Sequence, residues 1–207
     1  MACKAGIDVP MSNELDTISN VIARRRSLGL ARLKPDPIDR SIIEKMLEAA
    51  NWAPSNGDTE PWRFTVFIGD SRIALGDAFA EAYKRDAGDD FKQISFDSYR
   101  DRGTSSPLWI SIGMTPKLNE DGSRYMSEDE EIMAVACAVQ NLHLVATAAG
   151  MVGMWHSKGV SVDPYVAEFL GLEAPSRLLG FFWAGYPTVA WPEGERGPIS
   201  DKVRWAE

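Results

Sequence analysis

From Ile132 to Trp155 the chain contains no Asp, Glu, Lys or Arg, although 25% of its residues are charged. A run of that length has few folded solutions. It is long enough to cross a bilayer, but Gln140, Asn141 and His143 sit at its centre, alanine is abundant and basic flanks are missing, so no membrane passage is expected. A helix buried on all sides inside a soluble protein fits the pattern. Ser127-Glu-Asp-Glu130 marks its start with capping-box spacing and acids at the positive end of the helix dipole. Gly150 stops it after about Ala149. The rest of the chain has to wrap this helix.

Leu15, Ile18 and Ile22 recur at helical spacing and predict a helix over about 14–26 that runs into Arg24-Arg25-Arg26. Asp39 is a good N-cap for a second helix with an apolar stripe of Ile42, Ile43, Met46, Leu47 and Ala50, ended by Pro54. Phe64–Ile68, Leu108–Met114 and Leu178–Tyr186 read as strands, residues 151–157 as an extended segment, and Val203–Trp205 as a possible short strand. Residues 71–86 and Pro164 to about Leu170 read as further helices. The order shows no regular βαβ alternation, which predicts an α+β fold. At 207 residues, with no repeat or linker, the plain organisation is a loose tail over 1–13 and a single domain over 14–207, with a polar, variable excursion at about 87–106.

Several chemistries are excluded early. A net charge of −8 with one short basic run argues against nucleic acid as a partner. The phosphate cradles of P-loop and Rossmann proteins and the GxSxG elbow are missing. Two histidines and the two lone cysteines, Cys3 and Cys137, lack ligand spacing, so no metal site is expected. The lone cysteines and the absence of an apolar leader predict a cytoplasmic protein.

What remains is a set of separated binding elements. Arg25 and Arg26, followed by Ser27, either grip a phosphate monoester with planar paired donors or simply offset the dipole of the helix they end. Trp52-Ala-Pro54-Ser55-Asn56-Gly-Asp58-Thr-Glu60-Pro-Trp62-Arg-Phe64 then joins a helix stop, a polar loop and an aromatic strand entrance. Taken together, the two segments resemble the nitroreductase family, which carries an R-R-S-type phosphate grip followed by A-P-S-x-x-N-x-Q-P-W-x-F. Gln140-Asn141 on the long helix, Gly150, and Gly180-Phe-Phe-Trp-Ala-Gly185-Tyr-Pro187 sit where the family has them. The resemblance spans about 14–200, apart from about 70–125. It departs at Gly29, where many relatives have a basic residue, and at Asp58 and Glu60, which resemble a subgroup carrying T-E-P-W.

The resemblance implies a mixed, largely antiparallel sheet packed by helices, in an intertwined homodimer with FMN sites between subunits. Carried over by position, it implies that Arg25, Arg26 and Ser27 hold the phosphate and ribityl chain. Pro54, Ser55 and Asn56 come from the partner subunit, Trp155, His156 and Ser157 line the isoalloxazine, and Arg196 adds a phosphate contact. His156 either donates a proton or packs, and Trp52 either covers the ring or plugs the core. His143 reads most simply as a satisfied core or interface histidine. The implied activity is an FMN-dependent NAD(P)H oxidoreductase acting by ping-pong hydride transfer on a small electron-poor acceptor, a nitroaromatic or quinone. No catalytic side chain is needed. The alternatives are a specialised reaction of the same fold, reductive dehalogenation or flavin fragmentation, with 87–106 as a lid, or a non-catalytic FMN-binding protein.

Overall fold

The computed structural model describes residues 11–206. In chain order the elements are α1 (Met11–Arg24), α2 (Arg40–Asn51), β1 (Trp62–Phe67), α3 (Ser71–Ala87), α4 (Gln93–Arg102), β2 (Leu108–Met114), α5 (Glu128–Ala148), β3 (Val152–His156), α6 (Pro164–Phe169) and β4 (Arg177–Gly185). The strands form one sheet in the order β1-β2-β4-β3, antiparallel at every pairing. The fold is α+β, as the element order predicts.

Both faces of the sheet are covered, which is why β2 and β4 read as continuous apolar runs rather than alternating ones. Leu108, Ile110, Ile112 and Met114 of β2 face a core shared with α2 and α5, whereas Trp109 points to the other core, with Leu75 and Phe79 of α3 and Val166 of α6. In β4 the alternation slips. Leu179 and Phe182 share the first core, Leu178 and Phe181 the second, and the register against β2 shifts between Ser111 and Gly113. The extra residue is a β-bulge around Gly180, whose φ is 120°.

The long uncharged helix is α5, with its capping box in place: the Ser127 side chain accepts from the Glu130 amide, and Glu130 reaches back to the Ser127 amide. It is the one helix among the described residues long and apolar enough to cross a membrane, and half of its most apolar window is buried in this fold. The expectation of burial on all sides needs correction. Ala134, Val135, Ala138, Leu142, His143 and Ala146 face inward, while Met133 and Cys137 lie exposed on the opposite side, so within one chain α5 keeps an open face. Cys3 lies outside the described residues.

Glu131 on the first turn of α5 is 1% exposed. Its carboxylate accepts from the Lys117 amide at 3.1 Å and pairs with Arg124 at 3.1 Å, pinning the loop from β2 onto α5. Glu131→Gln keeps the shape but removes the charge facing Arg124. We expect it to lower stability by about 1–3 kcal/mol, the usual cost of disturbing a buried charged hydrogen bond. Denaturant unfolding measures this, and an unchanged midpoint would assign the loop's anchoring elsewhere.

Two further expectations change, and a third gains detail. The first helix starts at Met11, so residues 11–13 are helical, and the rest of the expected tail lies outside the described residues. The possible strand at 203–205 is not one: a 3-10 turn covers Ile199–Lys202, and the residues after it pair with no strand among the described residues. Extended backbone without a neighbour to bond has no ladder to hold it. The 87–106 excursion contains α4, docked on α3 through Gly76 and Gly103, where a Cβ on Gly103 would lie 2.7 Å from the Gly76 Cα. Tyr83 and Tyr99 stack across the same pair of helices at 5.0 Å.

Candidate functional site

The segment after α1 is held by ring donors. Trp191 Nε1 donates to the Arg24 carbonyl at 2.9 Å and Trp183 Nε1 to the Leu28 carbonyl at 3.0 Å, while His143 Nε2 lies 3.1 Å from the Arg26 carbonyl. The chain therefore leaves the helix here in a fixed path along α5 and β3, with the Gly153 amide also donating to the Arg26 carbonyl, at 3.4 Å. His143 is the satisfied buried histidine expected from the sequence, and its ring packs edge-on against Phe182.

The structure separates the two neighbouring arginines. The Arg26 guanidinium is taken up by main-chain carbonyls: Nε donates to the Pro192 carbonyl at 2.9 Å, and Nη1 to the Ala23 and Arg25 carbonyls at 2.7 Å. Its guanidinium lies over the backbone of Gly194, where an added Cβ would meet it at 2.2 Å. Arg26 thus ties down the C-terminal tail, and that tail brings in Arg196. Partial burial, followed by the charges of Arg196 and Arg26, holds the Arg25 pKa below the ordinary arginine value. Arg25 donates to the Ser27 hydroxyl at 3.3 Å. No carboxylate lies within ion-pair distance of Arg25, Arg26 or Arg196 among the described residues, in a chain with 30 acids. A guanidinium beside a hydroxyl, with a second arginine near enough for its charge to act and no counterion, fits a phosphate monoester. Gly29, where many relatives carry a basic residue, has no described heavy atom within 4 Å of where a Cβ would be.

From Gly153, β3 runs along the sheet edge for four residues to Ser157, about 13 Å at the usual rise. Trp155 is partly buried and its Nε1 donates to the Leu179 carbonyl at 3.0 Å. His156 Nδ1 is 3.0 Å from the Ser161 hydroxyl, and its ring tilts against Trp183. Burial first, then the charges of Arg102 and Lys158, lowers the His156 pKa from its ordinary value. Arg102, at the end of α4, was not singled out by sequence reasoning. It is a half-buried cation over the Trp183 ring, 5.8 Å from the centroid, and its Nε is buried with no hydrogen-bond partner among the described residues. Burial lowers its pKa. Its place in a charged stretch, Arg100-Asp101-Arg102, carries no signal that would mark it in the sequence.

Pro54, Ser55 and Asn56 lie elsewhere. Asn56 donates to Glu130 at 2.7 Å, and Ser55 accepts from the Glu60 amide at 3.3 Å. Asp58 and Glu60 have positive φ (48° and 42°), with Glu60 directly before Pro61, so the loop stores backbone strain, while Gly57 takes its φ of 65° freely. It is fixed at the N-terminal end of α5, whereas Arg24 bonds Thr147 near the C-terminal end. Glu130 and Thr147 are about 25 Å apart along the helix axis, so a single chain does not bring this loop to the Arg25–Ser27 segment. Trp52, beside it, is 81% exposed and does not plug the core of its own chain.

Comparison with known proteins gives a consistent result. The sequence model described as the nitroreductase family matches residues 22–186. YfhC of Bacillus subtilis, whose name places it among NAD(P)H nitroreductases, is 27% identical over 186 residues, covering 89% of this chain and 92% of its own. A nitroreductase-like family protein from Bacillus cereus superposes with a TM-score of 0.74 at 26% identity, over 100% of this chain and 99% of that one. The FMN-dependent nitroreductase NfnB from Mycobacterium smegmatis, solved with NADPH, has a TM-score of 0.69 over 93% of this chain and 100% of its own; at 19% identity it speaks to the fold alone.

Proposed function

The chain belongs to the nitroreductase family, and from that premise we propose that it is an FMN-dependent NAD(P)H oxidoreductase that reduces an electron-poor acceptor, a nitroaromatic or a quinone, as a homodimer in the cytoplasm. The observation that carries this reading is Arg25 beside the Ser27 hydroxyl with no carboxylate in ion-pair distance, on a segment whose Arg26 carbonyl accepts from Gly153 of the strand that leads to Trp155 and His156. The name of YfhC, an NAD(P)H nitroreductase, supports the nicotinamide donor.

FMN, when bound, would supply the redox chemistry between NAD(P)H and the acceptor, in two half-reactions that need no side-chain nucleophile. The chain's own residues bind and orient. Arg25, Arg196 and Ser27 hold the phosphate, with Arg26 as the anchor that places Arg196. Trp155, His156 and Ser157 carry the ring end of the site. Arg102 keeps a fixed positive charge beside them, in a place where fixed charges act strongly on any negative charge that develops.

The homodimer is supported by what one chain leaves undone. Leu15, Ile18 and Ile22 of α1 and Met133 of α5 stay exposed, and α1 and α5 enclose an apolar groove of about 360 Å³. A second copy seated on this face both covers it and brings its own Pro54, Ser55 and Asn56 across the gap along α5.

Purified protein is expected to be yellow, to bleach anaerobically with NADH or NADPH, and to regain colour on adding a nitroaromatic or quinone. Flavin that binds but does not bleach with either nicotinamide identifies a non-catalytic binder, and flavin consumed rather than restored identifies fragmentation. A colourless protein that takes up no FMN would end this reading.

A further inference from the structure

We propose that His143 is a positioning residue for the phosphate end of the cofactor site, acting through the Arg26 carbonyl. This rests on the FMN reading above. A carbonyl only accepts, so the 3.1 Å contact requires the proton on His143 Nε2. In a trans peptide the C=O and the following N–H point in opposite directions. Drawing the Arg26 carbonyl toward α5 therefore turns the Ser27 amide the other way. Trp183, donating to the Leu28 carbonyl, does the same for the Gly29 amide. Neither the Ser27 nor the Gly29 amide donates to any group among the described residues. With the Ser27 hydroxyl and the Arg25 guanidinium, these two amides make a local set of donors of the kind that receives an anion.

The contact needs a protonated Nε2, which both the neutral tautomer and the imidazolium supply, on a ring that stays fixed. It is 6% exposed, set against Phe182, and its own carbonyl is tied by the Thr147 hydroxyl at 2.9 Å. Arg25 is the charged side chain that acts on it, while Arg26 presents its carbonyl and turns its guanidinium toward Pro192. Burial, then the Arg25 charge, pushes the imidazole down to about 4, against the opposing pull of the Arg26 carbonyl. The donor is consequently in one protonation state across pH 5–8, and its role in binding is expected to be flat over that range.

The test compares FMN with riboflavin, which lacks the phosphate, in titrations of apo-protein followed by flavin fluorescence. The native protein is expected to prefer FMN strongly. His143→Phe keeps a flat ring against Phe182 but loses the donor. It is expected to weaken FMN binding by about 10-fold, the effect of one buried hydrogen bond, and to leave riboflavin binding unchanged. His143→Gln, which returns an N–H donor near the same position, is expected to recover most of the preference. If His143→Phe keeps the native FMN-to-riboflavin ratio, or if His143→Gln loses as much as His143→Phe, the proposal is wrong. If the variant loses both ligands equally, His143 acts on the fold as a whole and the positioning role is also wrong. A native protein that binds neither ligand instead defeats the underlying FMN reading.

Discussion

Changing Arg25 and Arg196 together to alanine is expected to weaken FMN binding by roughly 10²- to 10⁴-fold without lowering the melting temperature of the apo-protein. Each charge-assisted hydrogen bond to a phosphate contributes about 1.5–3 kcal/mol, and two such losses multiply at about 1.4 kcal/mol per factor of ten. In the absence of ligand these side chains stabilise little. The Arg25 pKa is held down partly by Arg196, a repulsion that the substitutions remove. Arg26→Ala is expected to behave differently. It abandons contacts to the Pro192, Ala23 and Arg25 carbonyls, so the apo-protein should melt earlier, and FMN affinity should fall because the tail no longer presents Arg196. Calorimetry and FMN titration on both variants separate the cases. Native FMN affinity in the Arg25→Ala/Arg196→Ala protein would remove the phosphate from this site.

That division of labour between adjacent arginines was not legible in the sequence. It depends on Pro192 and Gly194 folding back over Arg26, a contact spanning 166 positions with no local pattern to announce it. What was legible was local. The Ser127–Glu130 box fixes where α5 begins. The Asp39 side chain caps α2 through the Ser41 amide. The apolar run Leu108–Met114 is a strand because both faces of β2 are covered. The grouping of Arg25, Ser27 and Trp155–Ser157 came only with the resemblance to the nitroreductase family; in the structure the Gly153 amide, on the strand leading to Trp155, donates to the Arg26 carbonyl. Arg102 was missed for the opposite reason. Its environment is made by α4 docking on α3 at Gly76 and Gly103, and no periodicity in that polar stretch encodes the crossing. The open face of α5 was hidden as well, because an uncharged helix reads the same whether its own fold or a second copy covers it.

Gly180→Ala is expected to be the most damaging single change in the site, and it should fail in a way that the arginine variants do not. Gly180 sits at φ 120°, outside the region that residues with a Cβ adopt readily. An added Cβ would also lie 2.2 Å from the His156 carbonyl oxygen and 3.0 Å from the Ser157 Cα. Both are main-chain atoms, so no rotamer change relieves the overlap; β3 and β4 must separate where His156 and Ser157 leave the sheet. Backbone strain and overpacking, each costing about 1–3 kcal/mol, combine to about 2–6 kcal/mol. At the size of this chain that corresponds to a fall of roughly 4–24 °C in melting temperature. The ligand readout is the sharper one. The displaced backbone belongs to the ring end of the site, so FMN and riboflavin should be weakened alike, whereas the Arg25→Ala/Arg196→Ala protein should lose its preference for FMN and keep riboflavin. A Gly180→Ala protein that melts like the native one and binds both flavins normally would show that the bulge in β4 does not position this part of the site.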